Sequence, residues 1–517
     1  MNTNEKSDKS RRNPILWIGL AAATVMGLTL LSQALADSPQ LEATEEVESP
    51  AAAVRIISLP YVDTIALQHI NLLGATEPTS ITVQFVSEGG TELERITDPA
   101  FPAESIRLVT GPDVPTDTGR IMYEVPAGGG NLMLAVNLAF ISSGNDAYLG
   151  LKLGDASPIF RMNIPWLMKN AEGRDSAFVL QNRGTSPATV SIEFYDNLGN
   201  NVCGLIETIP PDGSVTFYLP SILCQYGELE DGFTGSAYIE ATEPAVSAVY
   251  ALDRQHPIRS SYQGVDRDGT STVLTVPALF KAHDLQTSAL CIHNINSPSA
   301  NVLVEYSDGL TATATIPPNS TSCLDQGAEG HAAGWAGGAT ISGGRLAAVV
   351  DVTAYDGTTP VGRWAYNATP STSFRQNMKS GASQSLAFPF LVNNDYGWTS
   401  TIYLYNPAEL PVVITPRYVL ANTGGFVYCA EPFTIPPRSL VSISQAQLPQ
   451  FSSRSMAYFN TTGPVAAAVS ATSSSALGTT DRHFGYEAAY PGVPIQFPDN
   501  CDTMQAVFLP LVAKQTN

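Results

Sequence analysis

Ala177-Phe178-Val179-Leu180-Gln181-Asn182 ends 17 residues after Pro165. The same interval of 17 separates Pro277 from the Asn that closes Ala289-Leu290-Cys291-Ile292-His293-Asn294, and Pro389 from the Asn that closes Thr401-Ile402-Tyr403-Leu404-Tyr405-Asn406. A Tyr follows each Asn by 12 or 13 residues (Tyr195, Tyr306, Tyr418), then a double proline preceded by Ile (Ile209-Pro210-Pro211, Ile316-Pro317-Pro318, Ile435-Pro436-Pro437) with Ser214, Ser320 or Ser439 just beyond. An internal repeat of this kind governs the architecture, because each copy is one structural unit.

Within a copy, Ser191-Ile192-Glu193-Phe194-Tyr195 alternates inward and outward side chains, the period of a half-buried strand. About 100 residues with turn signals every 8–12 residues suit six or seven short strands per copy, the signature of an immunoglobulin-like sandwich. The fold class expected is therefore all-β, a tandem array of immunoglobulin-like β-sandwich modules. A degenerate first copy contains SITVQFV, GRIMYEV and NLMLAVNLA. The division that follows is a signal segment at 1–36, a linker at 37–53, modules at 54–155, 156–270, 271–378 and 379–499, and a tail at 500–517 packing on the last module. Stacked in chain order, four sandwiches would present a long surface. The recurrent Asn reads as a strand terminator, since its amide can bond the backbone two residues on and tolerates a left-handed conformation. The double prolines read as stiff corners that lack N–H donors and block edge pairing.

Residues 1–36 combine Lys6, Lys9, Arg11 and Arg12 with an apolar run over 15–31 and Ala34-Leu35-Ala36 before Asp37. That is the layout of a secretory signal cleaved between Ala36 and Asp37, with an uncleaved anchor as the competing reading. Removing this segment takes away four basic and two acidic side chains and leaves 22 Lys and Arg against 45 Asp and Glu. Such a balance disfavours nucleic acid and anionic lipid as partners, and scattered acids favour solubility. Residues 38–53, rich in Pro, Ala and Glu, read as a spacer.

The six cysteines fall as Cys203 with Cys224, Cys291 with Cys323, and Cys429 with Cys501. Two per module in an exported chain implies disulfides, and although six cysteines allow about 15 pairings, modular grouping selects this one. Metal ligation would need CxxC pairs or adjacent His, and neither occurs.

The ending Val507-Phe508-Leu509-Pro510-Leu511-Val512-Ala513-Lys514, together with the Pro-opened, Asn-closed repeats, resembles uncharacterised secreted repeat proteins of filamentous Chloroflexi-type bacteria. The resemblance implies export and surface residence, and it implies no active site.

Catalytic groupings are absent from the sequence: there is no GxSxG, HExxH, GxxxxGK[ST] or dinucleotide glycine pattern. His69, His256, His283, His293, His331 and His483 are dispersed. Asp266-Arg267-Asp268-Gly269 is the one DxDG-like stretch; it lacks the distant Glu of a calcium loop, so calcium is a weak alternative to no cofactor at all. Trp166 and Trp398 read as core residues. Trp335, Trp364 and Tyr366 are the candidates for an exposed ligand surface, and the loops 225–232 and 326–338 vary most between copies. The function expected is a secreted or cell-surface structural or adhesive protein without catalysis, whose partners are other envelope or extracellular proteins or surface glycans. The membrane would be touched only through an uncleaved signal. Two alternatives stand beside it. A carbohydrate-binding protein requires Trp335 and Trp364 to be exposed; a secreted hydrolase requires a carboxylate pair between modules.

Overall fold

The computed structural model describes, apart from short gaps, residues 79–101, 159–371 and 384–473, and outside these the strands Val54–Ser58, Ala66–Leu73, Ile106–Val109, Thr118–Val125, Asn131–Phe140, Gly144–Leu149 and His483–Glu487. The signal segment with Ala36 and Asp37, the linker, Asp268, Gly269 and the tail with Cys501 lie outside the described residues.

The described strands of all four modules follow one scheme, eight strand positions in two antiparallel ladders of four, so the fold is an array of β-sandwiches; module 2 adds Tyr226–Gly227 and Val265–Asp266, module 3 adds Thr369–Pro370, and the fourth strand of module 4 is split into Val427–Cys429 and Phe433–Ile435. In module 2 the strands run Arg161–Lys169, Arg174–Asn182, Ala188–Asp196, Asn201–Ile209, Ser214–Tyr218, Phe233–Ala241, Ala245–Asp253 and Arg259–Gln263. One sheet has the order fourth-third-sixth-first and the other fifth-second-seventh-eighth. The sixth strand thus pairs with the first, and the seventh crosses over to the second. In module 3 the sixth and seventh strands are one continuous segment, Trp335–Asp356, which serves both sheets.

The repeated residues have definite jobs. Pro165, Pro277 and Pro389 each sit in a β-bulge of the first strand, where two residues oppose one of the sixth strand. Proline is accommodated there because a bulge frees one residue from the ladder. The backbone so released is tied down twice. The hydroxyl of Tyr262, Tyr366 or Tyr486 donates to the carbonyl just after the proline, at Trp166, Ala278 or Phe390. The Oγ of Ser176, Ser288 or Ser400 accepts the N–H of Met168 (2.9 Å), Phe280 (2.6 Å) or Val392 (3.0 Å). Burial raises the Tyr262 and Tyr486 hydroxyls well above the ordinary tyrosine range.

Each recurrent Asn is fully buried. Its Oδ1 accepts the N–H two residues on, at 2.8 Å from Gly184, 2.9 Å from Asn296 and 2.9 Å from Ala408. None of the three has a positive φ, so the expected turn bond forms without the left-handed backbone. Their Nδ2 atoms do more: that of Asn294 donates to Pro298, Ile316 and Pro317 carbonyls at 3.0, 2.9 and 3.1 Å, and Asn182 and Asn406 repeat the pattern. The Asn therefore fastens the double-proline corner to the second strand. After the second proline the chain turns through a left-handed residue, Asp212, Asn319 or Arg438, as the third position of a type II turn requires.

The modules pack by one rule. The first strand of module 2 lies against the second and seventh strands of module 3, and the first strand of module 3 does the same on module 4. The first strand of module 4, Gln384–Asp395, lies in turn against Ala66–Leu73 and Asn131–Phe140 of module 1. The eighth strands follow suit: Gly144–Leu149 meets Arg259–Gln263, which meets Thr359–Asn367, which meets His483–Glu487, which meets Gly144–Leu149 again. The packing is cyclic, where a linear stack was expected.

Cores run through the junctions. Cys291, Val349 and Ala365 of module 3 belong to the core of module 2, and Tyr403 and Ala468 of module 4 to that of module 3. At the junction of modules 2 and 3, two ion pairs cross in opposite senses, Arg174–Asp351 at 2.9 Å and Arg363–Asp253 at 3.7 Å, with Ser260 donating to Asp351 at 2.8 Å. Desolvation offsets much of their attraction, but partners fixed in this way define one register. The hairpin between third and fourth strands docks on the double-proline corner of the next module: a Cβ added to Gly90 would meet the Pro211 carbonyl at 2.4 Å, and one on Gly199 the Pro318 carbonyl at 2.2 Å.

Candidate functional site

The expected ligand surface does not form. Trp364 is fully buried, stacked on Tyr366 at 5.3 Å, and its Nε1 donates to Gln286 Oε1 at 3.0 Å. Gly485 of module 4 leaves it room, since a Cβ there would meet the indole at 2.3 Å. Tyr366 is buried because it clamps the bulge at Ala278. Trp335, also buried, stacks face to face on His331 at 3.7 Å and meets the edge of Tyr306 at 6.0 Å. Correcting the expectation, all three aromatics are core or junction residues. Trp166 is buried and Trp398 packs half-buried on the core of module 4, in line with their reading as core residues.

The loop 326–338 folds inward with Trp335. His331 Nδ1 lies 2.7 Å from Asp308 Oδ2, and its Nε2 lies 3.2 Å from Gln326 Oε1. Both ring nitrogens are engaged, and no hydroxyl or thiol nucleophile bonds to either. His293 is also buried. Its Nδ1 meets Thr321 Oγ1 at 3.2 Å, its Nε2 has no hydrogen-bond partner, and burial lowers its pKa to about 3. Asp253 and Asp351, at the junction of modules 2 and 3, are each ion-paired to an arginine of the other module. Among the described residues, no group of His, Cys, Asp and Glu is arranged to hold a metal ion, and no helix is long and apolar enough to cross a membrane.

The loop 225–232 faces outward. Cys224 anchors it to the fourth strand through the disulfide to Cys203. Tyr226–Gly227 then adds a two-residue strand beside Cys203 and Gly204. Backbone bonds from Gln225 to Gly204 (2.8 Å) and from Glu228 to Val202 (3.0 Å) extend this pairing. Leu229 plugs into the core, and its carbonyl accepts from Lys169 Nζ. Pinned at these points, the loop lays the Tyr226 ring on the backbone of Gly204, where a Cβ would meet the ring at 2.1 Å. Tyr226 is 52% exposed, Ile206 on the same sheet face 55%, and Leu223 beside the disulfide 90%. In the same loop Glu228, Glu230 and Asp231 are exposed and have no ion-pair partner among the described residues. The second disulfide, Cys291–Cys323, instead joins cross-strand partners in module 3 and carries no such loop. Cys429 is disulfide-bonded as well, while Cys501 lies outside the described residues.

No protein-family model matches the chain, and no curated protein matches it. Among solved structures it is similar to one described as the crystal structure of a tetra-tandem repeat in the extending region of a large adhesion protein, at 13% identity over 86% of this chain and 100% of that chain. The TM-score of 0.10 is too low for the likeness to bear on fold or function.

Proposed function

We propose that the chain is an exported, non-catalytic structural or adhesive protein of the cell surface, which uses its fused modules as a rigid base and the disulfide-pinned loop of module 2 as its contact. The loop carries this reading. It combines an immobilised backbone with exposed apolar side chains, and immobilising a binding loop beforehand removes an entropic cost from association. Export is supported by the signal layout and by disulfides, which persist in oxidising compartments. Protease shaving of intact cells tests it: the chain should be cleaved from outside. Protection until lysis would contradict the proposal.

A further inference from the structure

We propose that the edge strand Thr311–Ile316 of module 3 pairs with the same strand of a second copy of the chain. It is the fourth strand of its module and ends its sheet on the side away from the first strand, which packs on module 4. A strand in that place presents unpaired N–H and C=O groups, and proteins guard such edges with charges, proline, irregular pairing or a covering segment. Three of the four modules do so. Module 1 places Glu92, Glu94, Arg95 and Pro99 on its edge strand, whose pairing with Thr79–Ser87 is twice broken by register shifts. Module 2 covers part of its edge with Tyr226–Gly227 and carries Glu207 further along. Module 4 interrupts its edge at Glu431 and Pro432, between Val427–Cys429 and Phe433–Ile435. In module 3 the edge has no charge and no proline, its register with Ala300–Tyr306 runs unbroken, and no described strand covers it.

Two features choose the occupant. Thr311-Ala312-Thr313-Ala314-Thr315 reads the same in both directions. An antiparallel copy centred on Thr313 therefore sets Thr opposite Thr and Ala opposite Ala, a closed two-fold contact with threonine pairs of the kind that stabilise sheets. The phase of the backbone agrees. The hairpin closes with the Tyr306 N–H donating to the Leu310 carbonyl, so Ala312, Ala314 and Ile316 turn their main-chain groups to Ala300–Tyr306, while those of Thr311, Thr313 and Thr315 face outward. In the two-fold arrangement these three residues supply about six main-chain bonds between the copies. Their side chains are exposed, whereas Ala312 and Ala314 pack against the core of module 3, so a copy can align without disturbing the sandwich. An edge of this length buries less than the about 1,200 Å² at which stable interfaces begin, which makes the dimer a weak one.

Sedimentation equilibrium of the purified full chain should show a reversible monomer–dimer equilibrium with a dissociation constant in the micromolar range or weaker. Thr313→Lys brings like charges together at the two-fold centre and should weaken the dimer at least about tenfold. Thr313→Pro should weaken it as well, since it removes an outward N–H and leaves the ladder to Ala300–Tyr306 its bonds. Cysteines at the exposed positions read the register. Thr313→Cys should join two copies through a disulfide on mild oxidation, whereas Thr311→Cys, set about 14 Å along the strand from its own image, should link only when mixed with Thr315→Cys. Circular dichroism checks folding; should Thr313→Pro fail to fold, Thr313→Lys and the cysteine variants decide. A chain that stays monomeric up to about 1 mM, a dimer untouched by Thr313→Lys, or Thr311→Cys linking alone as readily as Thr313→Cys would overturn the proposal. So would open-ended oligomers, which a two-fold contact does not build.

Discussion

Leu285 sits in the hairpin between the first two strands of module 3 with φ +66° and 64% of its surface exposed. Module 2 places Gly173 (φ +74°) at the equivalent point and module 4 Gly397 (φ +83°). A β-carbon in this conformation costs about 1–2 kcal/mol, and a solvated leucine returns little. Leu285→Gly should therefore stabilise the protein by about 1 kcal/mol in chemical denaturation, whereas Leu285→Ala, which keeps the β-carbon, should not; equal effects would remove the backbone explanation. His293 makes the opposite kind of demand. Its folded pKa of about 3 lies below the about 6.5 of an unfolded histidine, so between these values the unfolded chain binds the extra proton and stability falls as pH falls. His293→Gln should flatten the stability profile between about pH 6.5 and pH 3, and an unchanged slope would show that other groups dominate. At this scale the sequence was partly legible. The i+2 bond of Asn182 is a local property of asparagine, but its bonds to the Ile209 and Pro210 carbonyls exist only once the sandwich brings those strands together.

Hairpins and loops show where pattern reading succeeds and where it stops. Alternation and turn spacing identify the strands, because period and punctuation are local physics. The loops 225–232 and 326–338 look alike as glycine-containing, variable stretches, yet one faces water and the other is filled by Trp335 stacked on His331. What separates them is the position of the cysteine: Cys224 adjoins its loop, whereas Cys323 pairs within the ladder. The hairpin glycines were equally silent in the sequence. Gly199, at φ +82°, faces the Pro318 carbonyl of the next module, so Gly199→Ala meets both backbone strain and a clash. We expect a loss of at least about 1–2 kcal/mol, read as a lowered unfolding midpoint; a neutral substitution would show that this docking contact gives way freely.

Over the whole molecule, packing between modules is the part sequence order does not convey. Strands can be counted along a chain, but that the first strand of module 4 packs on module 1 depends on a rotation repeated at each junction. Shared cores and crossed ion pairs predict that modules 2 and 3 unfold as one cooperative unit in calorimetry. Arg174→Ala would leave Asp351 buried without its guanidinium at a cost of about 3–5 kcal/mol, lowering that joint transition; a shift confined to module 2 would argue for independent modules. A rigid base matters because it holds the module 2 loop in one orientation. The central claim is that this loop attaches the protein to a surface partner. It is tested most directly by retention of the full chain on isolated cell envelopes, compared with the Leu223→Ser/Tyr226→Ser variant. Saturable retention lost in the variant is the predicted result; retention that is absent, or identical in the two proteins, would contradict it.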